Sequence, residues 1–304
     1  MFENKLKEFG LVSRNISFKE KCSFKIGGKI KYFVEIESIE LLQKLIKYLY
    51  EQQIPYFILG NGTNILASDE DFDIVVISLK KLNKVQINEE IVEIQAGASS
   101  IYSGIYLVSL GYDAVLPLAM IPGSIGGGIY MNASCFGESM SDYLVRVDYL
   151  DKTGKICSIT NFDEFKYRRS PFMENKGIII KGYFCVKKNK FAEEKLKKYW
   201  LCKKNNQPLD FKNAGCIFKN PNSFKTWQLI KSLNLDSLCI GDAVVSKKHA
   251  NFLINKNHAS FKDMKTLIDT IRKKVYEATK INLELEIKII EPSDFIPYQL
   301  WIKT

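Results

Sequence analysis

The chain has 304 residues, 46% hydrophobic and 26% charged, with a formal net charge of +10; these are globular values and the length suits two or three domains. Its seven cysteines form no C-x-x-C pair and its only histidines are His249 and His258, so the sequence indicates neither a zinc site, nor a disulfide framework, nor a histidine-based metal site. Lysine supplies 39 of the 44 basic residues and is dispersed, which reads as a solvated surface favouring anionic small molecules rather than a nucleic-acid groove.

The first residues, "MFENKLKEFGLVSRN", lack the apolar core of a secretory signal, and with the cysteine usage this leads us to expect a reducing, cytoplasmic compartment. Ser38 is a plausible N-cap, and Leu41, Leu42, Leu45, Ile46 and Leu49 follow at helical spacing until Pro55 approaches. "YFIL" (56–59) predicts a buried strand running into the turn cluster "GNGTN" at 60–64. Further strands are predicted at 74–78 and 91–97, then a helix capped by Ser99 or Ser100 and stopped by Gly111.

Residues 115–132, "VLPLAMIPGSIGGGIYMN", carry no charge and have the length of a membrane span. Pro117, Pro122 and the run Gly126, Gly127, Gly128 argue against a helix, and unpaired backbone is prohibitive in lipid. We expect no membrane span here, but a buried loop whose backbone polar groups still need partners.

A strand pair with a turn at Thr153-Gly154 follows, then a strand at 177–186 and a lysine-rich helix at 193–204. An amphipathic helix at 261–279 carries Met264, Leu267, Ile268, Ile271 and Val275 on one face, and a closing strand is predicted at 283–290. Strands and helices mix without regular alternation, which predicts α+β.

Two glycine turns, "LGNGTNIL" and "IPGSIGG", lie in apolar settings. Each alone is compatible with an ordinary turn; together they could grip a diphosphate through backbone amides. Neither has a Walker lysine, and the first lacks the helix and acidic residue of a Rossmann fingerprint. Three other stretches carry candidate chemistry. "FKYRRSPF" offers Arg168 and Arg169 beside Tyr167 as a surface turn or as an anion-binding fork. "NAGCIFKNP" presents Cys216 in a glycine-, lysine- and asparagine-containing loop. "LELEIKII" places Glu284 and Glu286 opposite Leu283, Leu285, Ile287 and Ile289, with Lys288 continuing the polar side.

In order, "SFKIGG", "LGNGTNIL", "PGSIGGGIYMNA", "YRRSPF", "GCIFKNP", "GDAVVSKKHANFLIN" and "LELEIKII" resemble the UDP-N-acetylenolpyruvoylglucosamine reductases across nearly the whole chain. The resemblance implies an FAD-binding fold of the vanillyl-alcohol-oxidase (PCMH) type in two lobes plus a third α+β substrate-binding domain. The divisions it implies are 1–79 with 286–304, 80–205, and 206–285. Only 48 positions separate Arg168 from Cys216, as in the subtype without an extra tyrosine-bearing loop. Noncovalent FAD is expected to contact Gly60, Asn61, Gly62, Thr63, Asn64, Pro122, Gly123, Ser124, Gly126, Gly127, Ile178 and Lys288. Tyr167, Arg168, Lys203, Lys204, Lys219 and Asn220 are expected to contact substrate, with no metal.

The family's reaction takes a hydride from NADPH onto FAD and then onto C3 of an enolpyruvyl group borne by UDP-N-acetylglucosamine, in peptidoglycan precursor synthesis. By resemblance, Arg168 and Glu286 bracket the carboxylate, and Cys216 stands where most members carry a serine proton donor. A thiol with a reference pKa of about 8.5 remains protonated at neutrality, and Arg168 nearby is expected to lower it. Lys288 replaces the usual arginine and Ser134 the usual glycine. A monomer is expected. The rival readings are another FAD oxidoreductase of the same fold and a non-catalytic anion- or nucleic-acid-binding protein, the latter suggested only by charge.

Overall fold

In the computed structural model, which describes residues 2–221 and 224–295, four strands form a first sheet in the order Leu11–Ser17, Lys29–Glu35, Phe72–Ser78, Tyr56–Leu59. The first two strands pair antiparallel and the other two join parallel. Helix Ile39–Glu51 makes one of these parallel crossovers. It starts where Ser38 Oγ accepts the N–H of Leu41, and it buries Leu42, Leu45, Ile46 and Leu49, the stripe read from the sequence.

A second, fully antiparallel sheet runs Ile156–Ile159, Leu144–Leu150, Ile178–Cys185, Ile91–Gln95, Val85–Asn88. The two sheets share one core: Val34, Leu45 and Val75 belong to the same buried cluster as Val92, Leu107 and Ile180. The third region is smaller. Strands Cys239–Ile240, Ala243–Val245 and Leu253–Asn255 pack with helix Phe261–Thr279. That helix begins at a capping box of Ser260 and Asp263 and buries all five apolar residues of its predicted stripe. Its core also takes in Phe24, Ile26 and Leu66 from the N-terminal part of the chain. The architecture is α+β.

The uncharged stretch differs from its expectation. It is not one buried loop but two short helices, Leu116–Met120 and Ile125–Tyr130, separated by a turn. Pro117 sits in the first turn, where a helix needs no N–H from it, and Pro122 follows the first helix rather than interrupting it. At two of the three glycines in the second helix, neighbours come too close for a side chain. A Cβ on Gly128 would lie 2.5 Å from Met140 Cε, and one on Gly126 would lie 3.0 Å from Ala96 Cβ. Their backbone is satisfied too: Gly126 donates to the Ala96 carbonyl and Gly128 to that of Ser124.

The closing strand is also shorter than predicted. Only Lys288–Ile290 is regular, and it pairs parallel with Ile65–Ala67. Residues 283–287 instead run beside 217–219: Glu286 N–H donates to the Ile217 carbonyl and Lys219 N–H to that of Glu284. Of the segment expected to close the first lobe, 296–304 lies outside the described residues.

Candidate active site

The two glycine turns face each other. Thr63 Oγ1 donates to the Pro122 carbonyl at 3.0 Å, and a Cβ on Gly60 would meet Ser124 Oγ at 2.6 Å. Gly62 has φ +64° and Gly123 φ +151°, both in the region that suits glycine. Ser124 caps the second helix by accepting the N–H of Gly127. Among the described residues, the N–H groups of Gly60, Asn61, Gly62, Thr63, Asn64, Gly123 and Ser124 donate to no protein acceptor. Neither turn contains a charged side chain. A half-buried set of seven amides without a protein acceptor suits the diphosphate of a dinucleotide cofactor, whose charged oxygens would accept from such donors. The residues present therefore suit FAD.

The remaining cofactor candidates are spread. Gly126 and Gly127 are helical, as above. Ile178 is buried opposite Leu150 in the second sheet and belongs to the shared core. Lys288 is exposed, with Nζ 5.7 Å from the Phe57 ring centre.

Beyond the second turn the chain builds a charged cluster. Lys166 and Arg169 exchange backbone hydrogen bonds across a tight turn with Tyr167 and Arg168 at its tip. Arg168 has φ +54°, uncommon outside glycine. The turn is tied to the end of the glycine-bearing helix: Ser170 Oγ donates to the Tyr130 carbonyl and Asn132 Nδ2 to that of Lys166. Arg168 then points inward while its neighbour Arg169 pairs with Glu174 on the surface. Arg168 Nε donates to Glu286 Oε1 at 2.6 Å, and both side chains are only about 15% exposed, at 14% and 15%. Its other two nitrogens donate to Ser134, one to Oγ and one to the carbonyl at 3.3 Å.

Cys216 reaches the cluster from a loop held by Asn251. The Asn251 side chain accepts from Phe218 N–H and donates to the Phe218 carbonyl, and its own carbonyl accepts from Ile217 N–H. Burial pushes the Cys216 thiol up to about 12, with Glu286 adding to the effect and Arg168 and Lys203 opposing it. Arg168 does pull this thiol down, as expected, but the net shift is upward, because desolvation of a thiolate outweighs a guanidinium already paired with a carboxylate. Glu286 is likewise raised by burial, against the pull of Arg168. Lys203 is buried, its ammonium donating to the Met120 carbonyl and its pKa lowered by desolvation.

The other substrate candidates do not all converge. Lys204 is exposed, and its carbonyl accepts from Lys248 Nζ. Lys219 pairs with the exposed carboxylate of Glu284 at 3.1 Å. The Asn220 side chain accepts the N–H of Thr226 at the start of helix Thr226–Ser232, and its own N–H donates to the Tyr167 hydroxyl. Two contributors went unread in the sequence. Asn251 gave no local signal. Ser134 stood out only as a departure from the family's glycine, with nothing to say what it would touch.

No helix among the described residues is long and apolar enough to cross a membrane. Two family models match the chain: "FAD binding domain" over residues 30–160 and "UDP-N-acetylenolpyruvoylglucosamine reductase, C-terminal domain" over 207–290. The chain is 36% identical to the UDP-N-acetylenolpyruvoylglucosamine reductase of Protochlamydia amoebophila, covering 94% of each chain. It is also 36% identical to that of Carboxydothermus hydrogenoformans, covering 92% of this chain and 94% of the relative. The crystal structure of the Thermus caldophilus reductase superposes with a TM-score of 0.78 at 26% identity, over 92% of this chain and 98% of that one. With the glycine cradle tied to the arginine–glutamate–cysteine cluster through the Asn64 side chain and the Glu286 carbonyl, and with relatives 36% identical over nearly the whole chain, the chain belongs to the UDP-N-acetylenolpyruvoylglucosamine reductase family.

Proposed function

We propose that this protein reduces the enolpyruvyl group of UDP-N-acetylglucosamine enolpyruvate to UDP-N-acetylmuramate, with FAD as bound cofactor and NADPH as reductant, for peptidoglycan precursors. The observation that carries the reading is the part-buried contact of Arg168 with Glu286 beside Cys216, linked to the glycine cradle by the hydrogen bond from Asn64 to the Glu286 carbonyl. The seven amides of the cradle, without a protein acceptor, would hold the FAD diphosphate. Bound FAD supplies hydride-transfer chemistry to the site.

The protein's own groups manage charge and a proton. Hydride arrival at C3 builds negative charge on the enolate and its carboxylate. Arg168 has two of its five N–H donors unspent on protein and stabilises that charge. Glu286, shifted toward its neutral form, stays beside the anion with less repulsion than a bare carboxylate would cause. Cys216 holds a proton across the physiological range and delivers it to C2. Arg168 and Lys203 then face the thiolate that remains.

The same reading divides the chain into 1–79 with 286–304, 80–205 and 206–285, supported by one sheet of three or more strands within each division. The shared core of the first two divisions means that they fold as one body. It also takes the protein as a cytoplasmic monomer that binds no nucleic acid. The test is anaerobic incubation of the purified yellow protein with NADPH and UDP-N-acetylglucosamine enolpyruvate, followed by mass spectrometry. A product heavier by two hydrogens, formed one for one with NADPH, is the expected result. NADPH consumption without that product would support the rival FAD oxidoreductase instead.

A further inference from the structure

We propose that Ser134 is a positioning residue for Arg168: its hydroxyl and its carbonyl clamp two of the three guanidinium nitrogens and aim the remaining donors at the substrate carboxylate. The inference rests on the reading of Arg168 given above.

An arginine side chain has four rotatable bonds, and a donor that must meet an anion is useful only if its plane is fixed beforehand. Arg168 gains that fixity from two sides. Glu286 Oε1 takes Nε, while Ser134 takes one terminal nitrogen at Oγ and the other at its carbonyl. The carbonyl comes with any residue at this position; the hydroxyl is particular to serine. Ser134 opens a two-strand ribbon, Ser134–Cys135 with Glu138–Ser139, which gives it a fixed backbone. That ribbon is pinned on its far side, where Glu138 accepts from Tyr143 Oη at 2.6 Å and from Leu116 N–H at 3.1 Å, and pairs with Lys195 at 3.2 Å. The clamp is therefore attached to the second sheet and to helix Ala192–Asn206, not to a free loop.

The clamp also accounts for a second feature. Arg168 carries φ +54° at the tip of its turn, and a non-glycine residue stays there only when its surroundings over-determine it. Three side-chain hydrogen bonds to two separate segments supply that constraint. The Ser134 oxygen, used as an acceptor by Arg168, keeps its own O–H proton, and the positive charge behind it makes that proton a stronger donor toward an anion.

The test compares Ser134→Ala and Ser134→Thr with wild type in two measurements. The first is reoxidation of the NADPH-reduced protein by the enolpyruvyl substrate in stopped flow. The second is equilibrium binding of that substrate and of UDP-N-acetylglucosamine, which lacks the carboxylate, to the oxidised protein. Ser134→Ala is expected to slow reoxidation about tenfold, the order for losing one hydrogen bond to a charged group. It should weaken only the carboxylate-bearing ligand, and Ser134→Thr should restore both. Equal weakening of both ligands, or an alanine variant as fast as wild type, would overturn the clamp. Failure of the wild-type protein to be reoxidised at all would instead overturn the functional reading on which it rests.

Discussion

The cradle and the cluster recognise negative charge by opposite means. The cradle offers seven amides and no charged side chain, from two turns whose conformation glycine permits. The cluster offers a guanidinium, a carboxyl, a thiol and an ammonium from segments as far apart as Arg168 and Glu286, separated by 118 positions. A backbone site is fixed by chain geometry, so it holds a permanent cofactor without titrating. A side-chain site is tuned by burial, so its groups can change protonation during a reaction. Substitutions should therefore separate the two: changes in the cluster should alter rates with the cofactor retained, and changes in the cradle should release the cofactor.

The largest effect is expected from Arg168→Ala. Loss of a donor to developing charge should slow reoxidation by substrate about 10²- to 10³-fold, or ~2.7–4 kcal/mol. Reduction of FAD by NADPH should stay close to wild type. Stopped-flow traces in which both half-reactions slow equally would merge the two regions into one structural unit. Gly123→Asp comes next. At φ +151° an L-residue is strained by about 1–3 kcal/mol, and the new carboxylate would repel a diphosphate held in the proposed cradle. Ultrafiltration should show FAD lost from the variant by tenfold or more, and undiminished retention would mean that the cradle holds nothing there. Thr63→Val should cost about 1 kcal/mol by breaking the hydrogen bond to the Pro122 carbonyl that joins the turns. Its thermal midpoint should fall more in the FAD-bound protein than in the stripped one.

The smallest expected difference is itself informative. With burial holding the Cys216 thiol at about 12, wild type and Cys216→Ser should show the same pH dependence of reoxidation through mildly alkaline buffer. Both donors stay protonated there, so the folded thiol loses its proton only as pH climbs toward its raised value. A wild-type decline near the ordinary thiol range, absent from the serine variant, would show that the bound site is far wetter than the burial here implies.

Much of this was legible in the sequence where the determinant is local. The caps at Ser38 and Ser260 and the apolar stripes behind them are set within a few residues, and both helices formed over them. The glycine turns were legible because glycine itself marks a backbone that must turn or be approached. The helix through Gly126, Gly127 and Gly128 was not, because what calls for glycine at 126 and 128 is the closeness of Ala96 and Met140 across the fold. The direction of the Cys216 shift was misjudged for a related reason. A sequence shows which charges are present but not how much water is removed around them. Lys203 and Lys204 are indistinguishable as letters; the helix Ala192–Asn206 turns one against the Met120 carbonyl and the other to solvent.

The pairing of Lys288–Ile290 with Ile65–Ala67 has a consequence for how the protein is made. Asn64 in the cradle donates its side-chain amide to the Glu286 carbonyl, 222 positions later, and its own carbonyl accepts from Lys288 N–H. On a ribosome adding about 5–20 residues per second, the first partner waits on the order of 10–45 s for the second to be synthesised. Until then Asn64 has neither partner and the carboxyl that faces Arg168 does not exist. A chain halted before Glu286 has both glycine turns in its sequence but lacks the carboxyl that pairs with Arg168, so FAD arriving at that stage meets a cradle without its cluster.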